Sequence, residues 1–194
     1  MKLIRFMNIF RFYLICILFI LTSTCFSQKP INDSIRNRIK FMGKRDQEYR
    51  KLMLGAEKWK EFRAQPKTYQ DSIWKFIKTA DSSNFYEYIS IIKDYGYVNE
   101  KNYKDMGYMI LHFISHDEVK ILEPLLFNEV ISGRMPGFIY AQWYDRYLLQ
   151  ICKKNVLYGI YGQTTKFPCV DDLKATNEAR IKIGLKPIKK SICK

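Results

Sequence analysis

Several charged side chains of this sequence occupy positions where a helix would otherwise bury apolar residues. The positions 35, 39, 42, 46, 49 and 53 follow helical steps of three and four, and Asp46 is the only charged residue among them. Arg50 comes four residues after Asp46, so the two side chains can pair on one face of a helix. A buried carboxylate is costly unless a cation compensates it. The sequence therefore predicts a paired carboxylate at Asp46.

Three other apolar stretches also contain polar groups. Asp145 and Arg146 are the only charges in one of them, His112 lies inside another, and Asn177 and Arg180 are three residues apart in a third. An unpaired charge on an apolar face is expensive, and the cheapest partners are similarly placed charges on neighbouring helices. We expect five of these side chains to meet in space, namely Asp46, His112, Asp145, Arg146 and Arg180.

Imidazole, carboxylate and guanidinium groups at one place allow two kinds of function. The first is a binding module that holds the anionic group of a small molecule or of a cell-envelope component. The second is a hydrolase with His112 as general base, oriented by Asp46 or Asp145; water would attack, because no serine or cysteine nucleophile is evident. In a third interpretation the charges only fix how helices dock. The residues predicted to bind the anionic group are Arg50, Arg146, Tyr158, Asn177 and Arg180.

The two histidines have the spacing of a zinc-binding helix but lack the rest of the signature. His112 and His116 are four residues apart, whereas Phe113 stands where a zincin has its catalytic Glu. They are the only histidines of the chain. The sequence contains no P-loop, G-x-G-x-x-G, G-x-S-x-G or Cys-x-x-Cys motif. We therefore predict neither a metal nor a cofactor.

Helices must hold these polar groups, and the sequence predicts an all-α fold. Apolar residues recur at helical spacing, and only 158–168 could form a short β-hairpin. Asn32, the Ser-Ser-Asn triplet at 82–84 and Asp117 are candidate N-terminal caps, and Gly96 is a candidate helix end. The predicted helices span 33–53, 70–79, 84–95, 102–115, 117–131, 138–153 and 171–183.

Residues 1–27 have the three-part layout of a secretory signal peptide. A basic start precedes the apolar run 12–21, and Cys25 and Ser27 occupy the small-residue positions of a cleavage site. The apolar run of about 10 residues is short of the roughly 20 that a transmembrane helix needs. We predict cleavage before Gln28 and a periplasmic or secreted product. Two alternatives remain open, a membrane anchor formed by this segment and a lipoprotein acylated at Cys25.

Residues 28–194 have the length of one domain, and their charge is strongly positive. Three positive charges and no negative charge lie in the signal segment, which lowers the formal charge of +14 to +11 for the remainder. The basic residues are scattered and do not alternate with aromatic residues along one element, as they would in a nucleic-acid stripe. We predict no specific nucleic-acid binding and no transmembrane segment after cleavage.

Three cysteines remain after the predicted cleavage, so at most one disulfide can form within the chain. Cys152 lies in an apolar helical segment, which favours a bond between Cys169 and Cys193. An oxidising compartment would permit that bond.

The polar residues also carry a family resemblance that spans about 46–187. The chain resembles an uncharacterised family of bacterial helical domains, a domain of unknown function. The matching motifs here are Asp46-Gln47-Glu48-Tyr49-Arg50, Tyr95-Gly96-Tyr97, His112, Asp145-Arg146, Tyr158-Gly159 and Asn177 through Arg180 to Gly184-Leu185. Three departures are Leu111 before the histidine, Val98 in place of a turn proline, and Ile160-Tyr161 in place of Thr-Gln. The resemblance supports these polar residues as one set and brings no known activity.

Overall fold

The computed structural model describes residues 28–98, 104–161 and 169–191. These ranges form seven α-helices, one short 3-10 helix and no strand, which confirms the predicted all-α fold. The predicted signal peptide lies outside the described residues, as do positions 162–168 of the possible hairpin. The helices are α1 (Asp33–Arg50), α2 (Ala56–Ala64), α3 (Lys67–Tyr95), α4 (Lys104–Met109), α5 (His116–Ile131), α6 (Gly137–Gln150) and α7 (Leu173–Lys182), with the 3-10 helix Ile110–His112 after α4.

Helix α1 begins at the predicted cap and ends three residues early. The side chain of Asn32 accepts a hydrogen bond from the amide of Ile35. The buried residues of the helix are Ile35, Ile39, Met42, Gly43 and Asp46. The predicted stripe is thus the inward face of α1, and Asp46 belongs to it.

Helix α2 is absent from the predicted set. Gly55 precedes it with a φ of 94°, and Gln65 follows it with extended backbone. Phe62 is its only buried residue. A nine-residue helix with one inward side chain has too weak a periodicity to be recognised from its sequence.

Helix α3 is one continuous helix of 29 residues where two were predicted. The triplet 82–84 does not cap a new helix, because Asn84 is fully buried and its side-chain amide donates to the carbonyl of Met42 at 3.2 Å. The same side chain accepts from Nε of Arg45 at 2.8 Å. The helix ends as predicted at Gly96, whose φ is 74°.

The following helices agree with prediction in order and differ at their ends. The predicted helix over 102–115 stops at His112, and α5 begins one residue before Asp117 because Ser115 forms a capping box with Glu118. Helix α6 ends at Gln150 rather than 153, and Asp172 caps α7. No described helix is both long and apolar enough to cross a membrane.

The helices enclose one main core and a small separate one. Trp143, Tyr88, Met106 and Leu122 are among the fully buried residues of the main core, in which α1, α3, α4, α5 and α6 take part. Among the described residues, the second core holds Phe62, Ile73 and Ile77, with Tyr49 and Met53 packed against it. We call α2 and residues 67–80 of α3 the two-helix lobe.

Cys169 is disulfide-bonded, and Cys152 is a free thiol. The predicted partner, Cys193, lies outside the described residues.

Candidate functional site

Asp46 and His112 form a close pair between α1 and the 3-10 helix. Nδ1 of His112 lies 2.7 Å from Oδ1 of Asp46, although the two residues are 66 positions apart in sequence. The Asp46 side chain is 2% exposed and that of His112 is 17% exposed. Burial opposes ionisation of Asp46, but the hydrogen bond and charge of His112 and the charge of Arg50 outweigh it and lower the pKa of Asp46 below 3.8. Asp46 is therefore a carboxylate at neutral pH.

Arg50 joins this pair to a second carboxylate on α3. Its Nε donates to Oδ1 of Asp46 at 3.3 Å, and its Nη2 donates to Oδ1 of Asp81. Both contacts are ion pairs between partly buried side chains. Asp81 thereby becomes part of the site, and Arg50 has its charge balanced by two acids.

Arg146 of α6 lies beside these groups. Its guanidinium is above the ring of Tyr161, 5.6 Å from the centroid, and Nε donates to Gln150 at 3.2 Å. Burial lowers the pKa of Arg146, the charge of Arg50 lowers it further, and Tyr161 and Asp81 act in the opposite direction. An arginine remains protonated in any case. We call Asp46, Arg50, Asp81, His112 and Arg146 the polar cluster.

Asp145, next to Arg146 in sequence, binds the backbone of the loop 158–161. Oδ1 accepts from the amide of Tyr158 at 2.7 Å, and Oδ2 accepts from the amide of Ile160 at the same distance and from that of Tyr161 at 3.4 Å. Asp145 is fully buried. Burial raises its pKa, and the backbone N–H groups only partly compensate. The carboxylate of Asp145 thus fixes residues 158–161 instead of orienting His112.

Arg180 secures the same loop from α7. Its Nη1 donates to the carbonyl of Tyr158, and its Nε donates to the carbonyl of Lys186 at 2.7 Å. Tyr158 itself is buried, and burial raises its pKa to about 12. Asn177 exchanges two hydrogen bonds with the backbone of Ile188.

The structure therefore divides the five residues expected to meet into two groups. Asp46, His112 and Arg146 belong to the polar cluster, whereas Asp145 and Arg180 hold the loop 158–161. Two of the predicted anion-binding residues, Arg50 and Arg146, belong to the polar cluster. The other three serve structural contacts: the backbone of Tyr158 binds Asp145 and Arg180, and the side chains of Asn177 and Arg180 bind the backbone of the C-terminal segment.

Three groups of the polar cluster have the chemistry of metal ligands. One donor atom each from Asp46, Asp81 and His112 lies within 4.8 Å of the others. The guanidinium of Arg50, however, donates to both carboxylates and places a positive charge between them. His116 stands apart, with Nδ1 2.9 Å from the hydroxyl of Tyr147. The expectation of no metal stays a prediction.

Sequence reasoning missed Asp81, which is partly buried, and Glu129, which is buried. Glu129 receives two hydrogen bonds from Arg134 and one from the amide of Tyr97, and these contacts lower its pKa despite its burial. Glu129 continues the apolar stripe of α5, so the signal that revealed Asp46 would also have revealed it. Asp81 lies four residues after the buried Ile77, on the same face of α3. The predicted helix ended at 79, so the sequence did not indicate that Asp81 shares this face.

His112 and Arg146 are among the groups of the polar cluster that offer unused hydrogen-bonding atoms to solvent. Nε2 of His112 and the two terminal amino groups of Arg146 make no hydrogen bond with the described residues. These nitrogens are accessible to solvent. In the described part of the chain, the hydroxyl of Tyr88 is the only side-chain N or O atom that is both buried and without a hydrogen-bond partner. The cluster can therefore contact a ligand without breaking an existing bond.

Comparison of the chain with family models, curated proteins and solved structures found no match. The family resemblance of the motifs thus stays a prediction, and functional inference rests on the geometry of the cluster.

Proposed function

We propose that the polar cluster binds a small molecule through an anionic carboxylate or phosphate group. The observation that carries this proposal is the state of Arg146, whose terminal amino groups are reachable and unused. A guanidinium presents its N–H groups as a planar fork that matches the oxygens of carboxylate and phosphate. Arg146 is therefore the primary contact of the anion.

The charges around Arg146 support an anionic ligand over a cationic one. Arg50 and Arg146 together match the charge of the two carboxylates, Asp46 and Asp81, and Arg50 already contacts both acids. Arg146 has no salt-bridge partner among the described residues within 4.0 Å. Its half-buried position strengthens electrostatic attraction, because less solvent screens it. His112 adds a second polar contact through Nε2.

Titration of the purified protein with inorganic phosphate and with succinate tests this function. We expect Arg146→Gln to weaken binding about tenfold or more, the usual effect of losing hydrogen bonds to a charged group. Arg36→Gln is the matched control, because Arg36 pairs with Asp33 at the far end of α1 and lies outside the cluster. Binding that survives Arg146→Gln unchanged, or no binding of either anion by the wild type, would contradict the proposal.

A second candidate function is hydrolysis with His112 as general base. The observation in its favour is the 2.7 Å contact of Nδ1 with Asp46, which leaves Nε2 as the free nitrogen. A carboxylate that holds one ring nitrogen orients the other for proton abstraction from water. Nitrophenyl acetate and nitrophenyl phosphate are suitable probes, and His112→Gln should abolish turnover while thermal unfolding stays cooperative. Equal turnover by wild type and His112→Gln would eliminate this candidate.

We propose further that residues 1–27 direct export and that cleavage leaves Gln28 as the first residue. The disulfide at Cys169 supports this, because such bonds persist in oxidising compartments. N-terminal sequencing of the protein recovered from its native compartment should begin at Gln28. An intact Met1 in the membrane fraction would instead favour an anchor, and an acylated Cys25 would favour a lipoprotein.

A further inference from the structure

Exposed aromatic side chains gather on the two-helix lobe. Trp59 and Tyr69 are each 42% exposed, and Trp74 is 37% exposed. The centroids of these three rings lie 5.9, 6.4 and 6.2 Å from that of Phe62, which is buried beneath them. All three exposed rings thus lie against Phe62, and we call them the aromatic patch.

The aromatic patch lies over a small core. The core below it has only three buried residues. Three further apolar side chains of the same segment are exposed, namely Leu52, Leu54 and Phe76. Single exposed hydrophobic residues are ordinary, whereas a contiguous group marks an interaction surface.

Basic residues outnumber acidic ones in the segment that carries the aromatic patch. Positions 51–80 contain seven basic residues, Lys51, Lys58, Lys60, Arg63, Lys67, Lys75 and Lys78, and three acidic ones, Glu57, Glu61 and Asp71. The guanidinium of Arg63 lies 5.8 Å from the centroid of the Trp59 ring. Nζ of Lys58 donates to the main-chain carbonyl of Lys51, just before the start of α2. The surface thus combines indole and phenol rings with a net positive charge.

We propose that the two-helix lobe docks on the surface of an anionic lipid bilayer. Tryptophan and tyrosine favour the headgroup region, because their rings are apolar and their N–H or O–H groups remain hydrated there. Lysine and arginine side chains near the surface attract anionic lipids. The excess of basic residues in this segment complements an anionic bilayer, whereas a protein partner without a strong negative charge would not call for it. The lobe therefore lies in the interface without crossing the membrane, and the polar cluster stays on the main body.

Vesicle flotation of the whole protein tests this docking. The probes are phosphatidylcholine vesicles with and without phosphatidylglycerol, and we expect binding only, or at least about tenfold more strongly, to the anionic vesicles. Tryptophan emission gives an independent measurement. Trp143 is fully buried, so a blue shift on binding reports Trp59 and Trp74.

Two double variants separate the aromatic contribution from the electrostatic one. Trp59→Ser with Trp74→Ser should lower vesicle partitioning about tenfold at all salt concentrations. Lys60→Gln with Arg63→Gln should lower it about tenfold at low salt and less at high salt, where charges are screened. Circular dichroism and thermal unfolding establish that each variant is folded.

Matched controls lie on other parts of the surface. Phe138 is half-exposed, and Lys120 and Lys174 are exposed. Phe138→Ser and the pair Lys120→Gln with Lys174→Gln should leave partitioning unchanged. The proposal is overturned if the wild type does not float with anionic vesicles, if controls and lobe variants behave alike, or if the patch instead mediates a dimer in solution that the tryptophan variants abolish.

Discussion

Three buried carboxylates of this protein differ in what surrounds their charge. Asp46 contacts His112 and Arg50, and Glu129 contacts Arg134, so cations stabilise both ionised groups. Asp145 receives backbone N–H groups, which do not fully offset its burial. The pKa is consequently lowered for the first two acids and raised for the third. Asp46 and Glu129 therefore favour folding at neutral pH, whereas ionised Asp145 opposes it.

Asp46→Asn should reduce stability in a pH-dependent way. The pKa of Asp46 in the folded protein is below 3.8, so its ionised form stabilises the protein above that value and this stabilisation disappears as the pH falls through the lower folded value. We expect a loss of roughly 1–3 kcal/mol in the free energy of unfolding near neutral pH. Urea unfolding at neutral and acidic pH measures it.

The difference between wild type and Asp46→Asn should shrink as the pH falls through the lowered pKa of Asp46 in the folded protein, because below that pKa both side chains are uncharged. Asp94→Asn serves as control, since its ion pair with Lys29 is exposed and contributes little. A difference that grows on acidification would contradict the assigned pKa direction.

Sequence reasoning located part of the polar cluster. A charge on an otherwise apolar helical face is visible in the sequence, and this identified Asp46, Arg50, His112 and Arg146. The same signal could not tell which charges would meet. Asp145 is bound by backbone N–H groups of a loop. Because almost every residue has such a group, the sequence does not indicate which residues will bind it.

Helix α3 illustrates how packing overrides a local capping signal. Ser, Ser and Asn are all preferred at helix starts, so the triplet 82–84 predicts an interruption. In the folded protein the side chain of Asn84 is directed to Met42 and Arg45 on α1. A hydrogen bond across the helix pair replaces the cap, and α3 continues. Tertiary partners of this kind are invisible to local propensity.

Asn84→Ala should destabilise the protein by roughly 1–3 kcal/mol, because it leaves the buried carbonyl of Met42 and one donor of Arg45 without their partner. Ser83→Ala is the matched control on the exposed side of α3, where the change should stay within about 0.5 kcal/mol. Urea unfolding of both variants provides the comparison. Equal effects would show that the hydrogen bonds of Asn84 do not hold α1 against α3.

At the scale of the whole molecule, stability is unequally distributed between the two cores. The main core draws fully buried side chains from five helices, and the lobe core has three buried residues. The all-α class and most helix positions were predictable because the main-core helices have strong periodicity. Helix α2 was not predictable, because it buries only Phe62 and its sequence therefore has almost no hydrophobic periodicity.

Hydrogen exchange should therefore detect the lobe opening before the rest of the protein. We expect amides of α2 to exchange faster than those of α5 and α6, because little buried apolar area opposes local opening. Phe62→Ala should remove most of the remaining protection in α2, with about 3 kcal/mol lost locally. Ile131→Ala, at an exposed site, should change neither region. Loss of protection throughout the chain after Phe62→Ala would mean that both cores unfold together.

The anchoring of residues 158–161 has a consequence for how this protein can vary. Asp145 and Arg180 contact only main-chain N–H and C=O groups of that loop. Every residue except proline offers the same N–H group, so these contacts place few demands on side-chain identity at positions such as Ile160. Burial constrains Tyr158 and a φ of 68° constrains Gly159, so the freedom to vary falls on positions 160 and 161, where a substitution can change the chemistry beside Arg146 while the path of the loop stays the same.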